Sequence, residues 1–207
     1  KTQASQSFYN FEQAFPAWRW RFNALSEDMD KDIRPAYWGG ISYVPPHKAG
    51  KDFYGVNVMD ITSSYPHKAS KCKLPYGTPL FTFGEGRHPD MSKFWIAEVL
   101  VEFELKDQDK LPSIPSKAIK EGGILEDKES DHSKWLTTSG GTVKMLLSNI
   151  DYETAQQSYN ITIIKWLWST HWAWKVQKEV AHFVDTRFEQ RQEYKRLLKE
   201  ELNKEQP

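Results

Sequence analysis

Phe94-Trp95-Ile96-Ala97-Glu98-Val99-Leu100-Val101-Glu102-Phe103-Glu104-Leu105 is the stretch on which the fold turns. Apolar residues occupy its odd positions, and Glu98, Glu102 and Glu104 fall on even ones. A period of two places alternate side chains on opposite faces of a strand, with one face toward a core. Further strand signals lie on both sides. Upstream, Leu80, Phe81 and Phe83 follow a turn at Leu74-Pro75-Tyr76-Gly77. Earlier still, Tyr54, Val56 and Val58 alternate toward Asp60, and Ile41, Tyr43 and Val44 begin a strand that Pro45-Pro46 ends. Lys48 to Lys51 reads as a hairpin loop, and residues 1–34 as a short helix or loop.

Downstream, residues 106–134 are loop-rich, with Pro112, Pro115, Gly122 and Gly123. Thr142 to Leu147 begins a helix or a strand. Ser148-Asn149-Ile150-Asp151 has the form of a helix N-cap, with the helix running to about Tyr159. Ile161, Ile163, Trp166 and Trp168 suggest another strand. From Trp174 to Glu205 there is no Gly or Pro. Val180, Val184 and Phe188, then Tyr194, Leu198 and Leu202, recur at four-residue spacing. This predicts an amphipathic helix with a break near Arg191. Strands followed by a long helix predict an α+β chain.

Composition narrows the function classes. The chain has 207 residues, with 28 basic and 28 acidic side chains. A dedicated nucleic-acid-binding domain usually carries a net basic balance, and this chain does not. An enzyme of nucleotide chemistry remains open, because metal-binding carboxylates offset basic grooves. Cys72 is alone, which excludes a disulfide framework within the chain and a cysteine zinc site, and predicts a reducing, intracellular setting. The six His are scattered without the paired helical spacing of zinc ligands. Gly122-Gly123 and Gly140-Gly141 lack the following Lys-Ser or Lys-Thr of a phosphate loop and read as turns. Trp166, Trp168, Trp172 and Trp174 are expected to pack between a strand and the last helix rather than to stack on bases. No apolar run reaches transmembrane length. Lys1 at the start and a helical end predict an excised piece of a longer protein.

The chemistry concentrates at Met59-Asp60-Ile61-Thr62-Ser63-Ser64-Tyr65-Pro66. An expected strand ends in a carboxylate, and small polar residues follow at once. Magnesium takes hard oxygen ligands, usually one or two carboxylates plus substrate phosphates. Small residues let backbone N–H groups approach a triphosphate, and a ring five residues on can pack beneath a sugar. An Asp at a strand end is by itself more often a turn-former.

This segment resembles the first polymerase motif of family B DNA polymerases, an Asp, two variable residues, then Ser-Leu-Tyr-Pro; Ser64 stands where Leu is usual. Three more elements follow the order of the protein-primed branch found in phages and linear plasmids. Tyr37-Trp38-Gly39-Gly40 resembles a Tyr-x-Gly-Gly template-binding element. Leu74-Pro75-Tyr76-Gly77 resembles the entrance to the first terminal-protein-region insertion. Ser139-Gly140-Gly141, with Leu147-Ser148-Asn149-Ile150-Asp151, resembles that insertion's interior. The resemblance runs from about Phe11 to Arg191. The fingers motif Lys-x-x-x-Asn-Ser-x-Tyr-Gly, the Tyr-x-Asp-Thr-Asp motif and an Asp-x-Glu exonuclease motif are not in this sequence.

The resemblance implies roles. Asp60 would be a catalytic metal ligand for one of two magnesium ions. Ser63 and Ser64 would face the triphosphate, Tyr65 would lie under the deoxyribose, and Arg191 would be a basic nucleotide-binding residue. Tyr37, Gly39 and Gly40 would touch template. Lys117, Trp135 and Asp151 would contact DNA or the priming protein. It implies a small, mostly antiparallel palm sheet with an inserted α/β lobe and a long C-terminal helix. The expected division is 1–71 as partial palm, 72–168 as the insertion, and 169–207 as a helix leading toward palm and fingers. Template and primer DNA, deoxynucleoside triphosphates and a terminal protein would be the partners, with no membrane. The setting would be the cytoplasm of a bacterial host of a phage or prophage, or an organelle with a linear plasmid. The rival expectation is a non-catalytic module that binds DNA or the priming protein.

Overall fold

The computed structural model describes residues 3–204 apart from Gly39, Ser42, Thr62, Ser63, 85–87, Gln108 and 124–134. Two of the candidate residues, Gly39 and Ser63, therefore lie outside the described residues. The helices are α1 (Gln3–Ala14), α2 (Trp18–Arg21), α3 (Glu27–Ile33), α4 (Ser64–Lys71), α5 (Asn149–Ser158) and α6 (Lys178–Lys204). The strands are β1 (Leu74–Phe83), β2 (Phe94–Leu105), β3 (Ile119–Gly122), β4 (Val143–Ser148) and β5 (Tyr159–Lys175). They form a five-stranded sheet in the order β1-β5-β2-β4-β3. The chain divides into two compact units. One comprises Lys1–Asn23, Asn57–Gly77 and Trp174–Pro207, the other Ala24–Val56 and Thr78–Ala173.

In the second unit the expected strand Phe94–Leu105 is β2, paired antiparallel with β4 and with β5. Trp95, Ala97, Val99, Val101 and Phe103 line one face of it and join Ile114, Leu136, Val143, Met145, Leu147 and Tyr159 in the larger core. Ile96 lies on the other face and packs with Leu146, Trp172, Ile33 and Ala36 in a smaller one. Glu98 shares that second face and is buried. Its carboxylate accepts from Lys120 Nζ at 2.7 Å and from Trp168 Nε1 at 3.1 Å, so the desolvated charge is paired.

The β2–β5 register slips at two places. Glu98 faces Trp168 but Val99 faces Trp166, and Leu100 faces Lys165 but Val101 faces Ile163. Each slip adds a residue to β5 and turns its following side chains to the opposite face. Trp168 and Trp172 consequently enter the smaller core, while Trp166 meets the larger one, edge-on to Trp95 with ring centroids 5.4 Å apart. These three rings are taken up by the two faces of the sheet, where packing against the last helix was expected.

In the first unit, α1 presents Phe11 edge-on to Phe15 and to Phe183 of α6, at 5.8 and 5.4 Å. Arg21 donates to Gln177 Oε1 at 3.2 Å and pairs with Glu179 at 3.3 Å. Helix α4 packs on α6, where Lys71 pairs with Asp185 at 3.2 Å. Helix α6 begins at Lys178, because Trp174 and Lys175 belong to β5, and it continues through Arg191 without the expected break. No Gly or Pro interrupts it, and Arg196 bridges Glu193 and Glu200 one turn away on each side.

The strand expected over Tyr54–Val58 is not formed. Residues 56–61 have no regular structure, and Val58 and Met59 are 92% and 93% exposed. Gly55 sits at φ +70°, outside the extended region, so the alternating pattern is interrupted at its centre. The segment Ile41–Val44 is likewise not a strand in its described residues.

Tyr159, fully buried at the start of β5, accepts from Ser113 N at 3.0 Å and Ile114 N at 3.3 Å, and donates to Leu136 O at 2.7 Å. Burial pushes its hydroxyl pKa up from 10.0 to about 12, with the two backbone donors opposing that rise. A raised pKa means the folded state holds the proton more tightly than the unfolded chain. The stabilisation is complete below pH 10 and is lost as pH rises toward about 12. Tyr159→Phe is expected to strand three backbone groups and cost about 2–4 kcal/mol. Denaturant unfolding at neutral pH measures this; in the wild type, stability should fall by about 3 kcal/mol across that alkaline window.

Candidate functional site

Asp60 stands in the irregular run before α4, exposed, in the first unit. Ser64 opens α4 and is half-buried. Tyr65, the second residue of the helix, is 89% exposed. A carboxylate and a ring, both exposed, thus lie within six residues of each other, with half-buried Ser64 between them in sequence. Among the described residues no group of three or more His, Cys, Asp or Glu could hold a metal ion. Asp60 accordingly offers one hard oxygen ligand, enough for one position on a magnesium ion whose other ligands are water and phosphate. A second ion needs a further carboxylate.

Arg191 lies on the exposed side of α6, in a groove of about 350 Å³ lined by Arg187, Gln190, Arg191, Tyr194, Lys195 and Leu198. Arg187, Arg191 and Lys195 follow at four-residue spacing on one stripe of the helix. Positions 187, 188, 194 and 195, one turn either side of Arg191, carry no carboxylate. Like charges one turn apart cost a helix a few tenths of a kcal/mol each. The stripe leaves positive charge along that side of the helix, with Arg187 held over the Phe183 ring and donating to Gln190 Oε1 at 2.9 Å. Of the groove's lining residues, the sequence reading named only Arg191 as a site candidate.

The remaining candidates belong to the second unit. Tyr37 follows a 3-10 turn at Arg34–Ala36 and is 84% exposed, whereas its neighbour Trp38 is buried in the larger core. Gly40 is exposed, and a Cβ there would meet nothing within 4 Å. Lys117 is exposed on a 3-10 turn, Ser116–Ala118. Trp135, half-buried, bridges to Pro115, and Leu136 N donates to Ile114 O at 2.8 Å. The structure thus brings the segments carrying Lys117 and Trp135 side by side.

Asp151 is engaged structurally. Its Oδ2 accepts from Ser148 N at 3.1 Å and Ser148 Oγ at 2.6 Å, and its N–H donates to Ser148 Oγ at 3.2 Å. This is the capping box that starts α5. Burial raises its pKa, and the two Ser148 hydrogen bonds oppose the rise. Asp151→Ala is expected to cost about 1 kcal/mol of stability, while Asp151→Asn, which keeps an accepting oxygen, should cost less. An Asn variant that unfolds near the wild-type midpoint yet binds DNA or priming protein more weakly would give the carboxylate a role beyond the cap.

The family model described as DNA polymerase type B, organellar and viral, matches residues 1–204. The DNA polymerase of Bacillus phage Nf is 31% identical over 147 residues, covering 70% of this chain and 24% of that protein. The DNA polymerase of Bacillus phage phi29 is 28% identical over 169 residues, 80% of this chain and 28% of the relative. The chain spans about a quarter of the length of these curated relatives. Among solved structures, phi29 DNA polymerase complexed with primer-template DNA and incoming nucleotide substrates superposes with a TM-score of 0.71 at 25% identity. The match covers 88% of this chain and 31% of that one. The same polymerase complexed with single-stranded DNA gives 0.64 at 24% identity, over 88% and 30%. The mixed helices, antiparallel sheet and long final helix are thus a fold shared with that enzyme.

Proposed function

The chain belongs to the type B DNA polymerases of organelles and viruses, and on that footing we propose that it is a segment of a protein-primed, DNA-directed DNA polymerase. The observation that carries this reading is the exposure of Asp60 and Tyr65 inside a match spanning residues 1–204. In the complete enzyme, Asp60 would ligate magnesium, which supplies charge neutralisation on the reacting phosphates. Ser63 and Ser64 would present polar groups to the triphosphate, Arg191 would add positive charge to the nucleotide site, and Tyr65 would sit under the sugar. One aspartate does not hold two ions, so the 207-residue chain by itself is proposed to be inactive in primer extension.

The segment 72–168 is proposed as the insertion that meets DNA and a terminal protein. Lys117 offers a cation to phosphate and Trp135 a ring to a base; Asp151, engaged in the α5 capping box, is the third residue proposed to contact DNA or the priming protein. Tyr37, Gly39 and Gly40 are proposed to touch single-stranded template; the exposure of Tyr37 and the open space at Gly40 support this. The relatives are phage DNA polymerases, which supports a setting in the cytoplasm of a bacterial host; an organelle with a linear plasmid is the other setting proposed. Among the described residues no helix is long and apolar enough to cross a membrane.

In a polymerase of the relatives' length carrying this segment, Asp60→Ala is expected to lower DNA synthesis on the order of a thousandfold or more. Any exonuclease should survive, because it would use other carboxylates. Tyr65→Val should raise the ratio of ribonucleotide to deoxynucleotide incorporation, measured as relative kcat/KM. Synthesis that survives Asp60→Ala would overturn the catalytic assignment, and an unchanged sugar ratio would remove Tyr65 from the nucleotide site.

Changing Lys117 and Trp135 together to Ala tests the insertion. Extension from an ordinary DNA primer at saturating DNA should persist, while protein-primed initiation or processive synthesis drops about tenfold or more. If both persist at wild-type level, these two residues are structural.

A further inference from the structure

A neutral chain can still separate its charges. Residues 61–84 and 154–178 contain no Asp or Glu, although the whole sequence has 28 acidic residues. The two acid-free runs carry Lys68, Lys71, Lys73, Lys165, Lys175 and Lys178. Within the first compact unit they contribute the start of β1 and the end of β5, neighbouring strands of the sheet.

There two lysines and two rings cross. Lys73 Nζ lies 5.1 Å from the centroid of the Trp174 ring, and Lys175 Nζ lies 5.0 Å from that of Tyr76. Both rings are half-buried and both lysines are exposed. No carboxylate among the described residues pairs with either lysine.

The kind of partner matters physically. A carboxylate orders an ammonium and cancels its charge, as Asp185 does for Lys71 and Glu98 for Lys120. A ring face orders the ammonium through its quadrupole and leaves the full charge in place, with N–H donors free to point outward. The entropy of fixing a long side chain is then met before any ligand arrives. Two fixed, uncancelled cations without acidic neighbours in sequence are what a phosphodiester backbone requires. Each ring has one face engaged by an ammonium, which favours contact with phosphate over stacking on bases.

We infer that Lys73 and Lys175, each held over a ring, form a contact for the phosphate backbone of a DNA strand, read without regard to sequence. The inference extends the polymerase reading and rests on it only for the identity of the polyanion.

The test uses the 207-residue chain and a fluorescently labelled oligodeoxythymidine, with binding followed by anisotropy over a range of salt concentrations. The double variant K73Q/K175Q is expected to bind about tenfold more weakly at low salt. Its log K against log salt slope should flatten by about 1.4, two single-strand phosphate contacts. K73R/K175R, which keeps a cation over each ring, should bind within about twofold of wild type. Circular dichroism and unfolding midpoints confirm that each variant is folded. A wild-type chain that does not bind the oligonucleotide, equal binding by all three chains, or equal loss in the Gln and Arg variants each overturns the inference. Failure of the polymerase reading looks different: synthesis in the longer enzyme would survive Asp60→Ala, while the Gln variant would still weaken oligonucleotide binding.

Discussion

The hydroxyl of Tyr159 holds three backbone groups that would otherwise be buried without partners: the N–H of Ser113, the N–H of Ile114 and the carbonyl of Leu136. Its ring packs edge-on to Phe103 of β2 at 5.5 Å, and its own N–H closes α5 by donating to Ala155. One residue therefore joins the central strand, a helix end and two irregular segments. Irregular backbone is normally kept at the surface because its polar groups need water. Here a phenol substitutes for water inside the core. That substitution lets the 113–117 and 135–136 segments lie against the sheet, and so sets where Lys117 and Trp135 emerge.

The sheet is organised around β2, which has partners on both sides and a core on both faces. Covering both faces consumes much of the chain's aromatic content: Trp38, Trp95 and Trp166 on one side, Trp168, Trp172 and Phe94 on the other. A buried carboxylate amid these rings is tolerable because Glu98 is met by an ammonium and an indole N–H together. Gly123 shows the same closeness of packing. A Cβ there would fall 2.2 Å from the Ser139 carbonyl oxygen, so the Gly122-Gly123 pair serves the fold and not a phosphate.

The element bearing Asp60 is built on other terms. Val58, Met59 and Ile61 expose apolar surface, and no strand among the described residues pairs with that run. Its accessibility leaves the carboxylate open. The relatives are about four times longer than the stretch matched here.

Some of this was legible in the order of residues alone. The alternation over Phe94–Leu105 determined a strand, and Ser148 followed by Asp151 determined a helix start, because both depend only on near neighbours. A Gly- and Pro-free run with Val180, Val184 and Phe188 determined the final helix for the same reason. The Asp60–Pro66 motif carried the resemblance to the family before any coordinates, and the family model bears that resemblance out. Tertiary structure alone decided what depends on distant partners. The two slips of β5 against β2 set which face each tryptophan takes, and no local pattern encodes a slip. Tyr54–Val58 alternates like a strand, yet an extended segment becomes one only when another strand satisfies its backbone. Lys73 and Trp174 lie far apart in sequence and meet only because β1 and β5 are neighbours. Short-range order fixes local geometry, whereas pairing, burial and charge environment come from which segments the folded chain brings together.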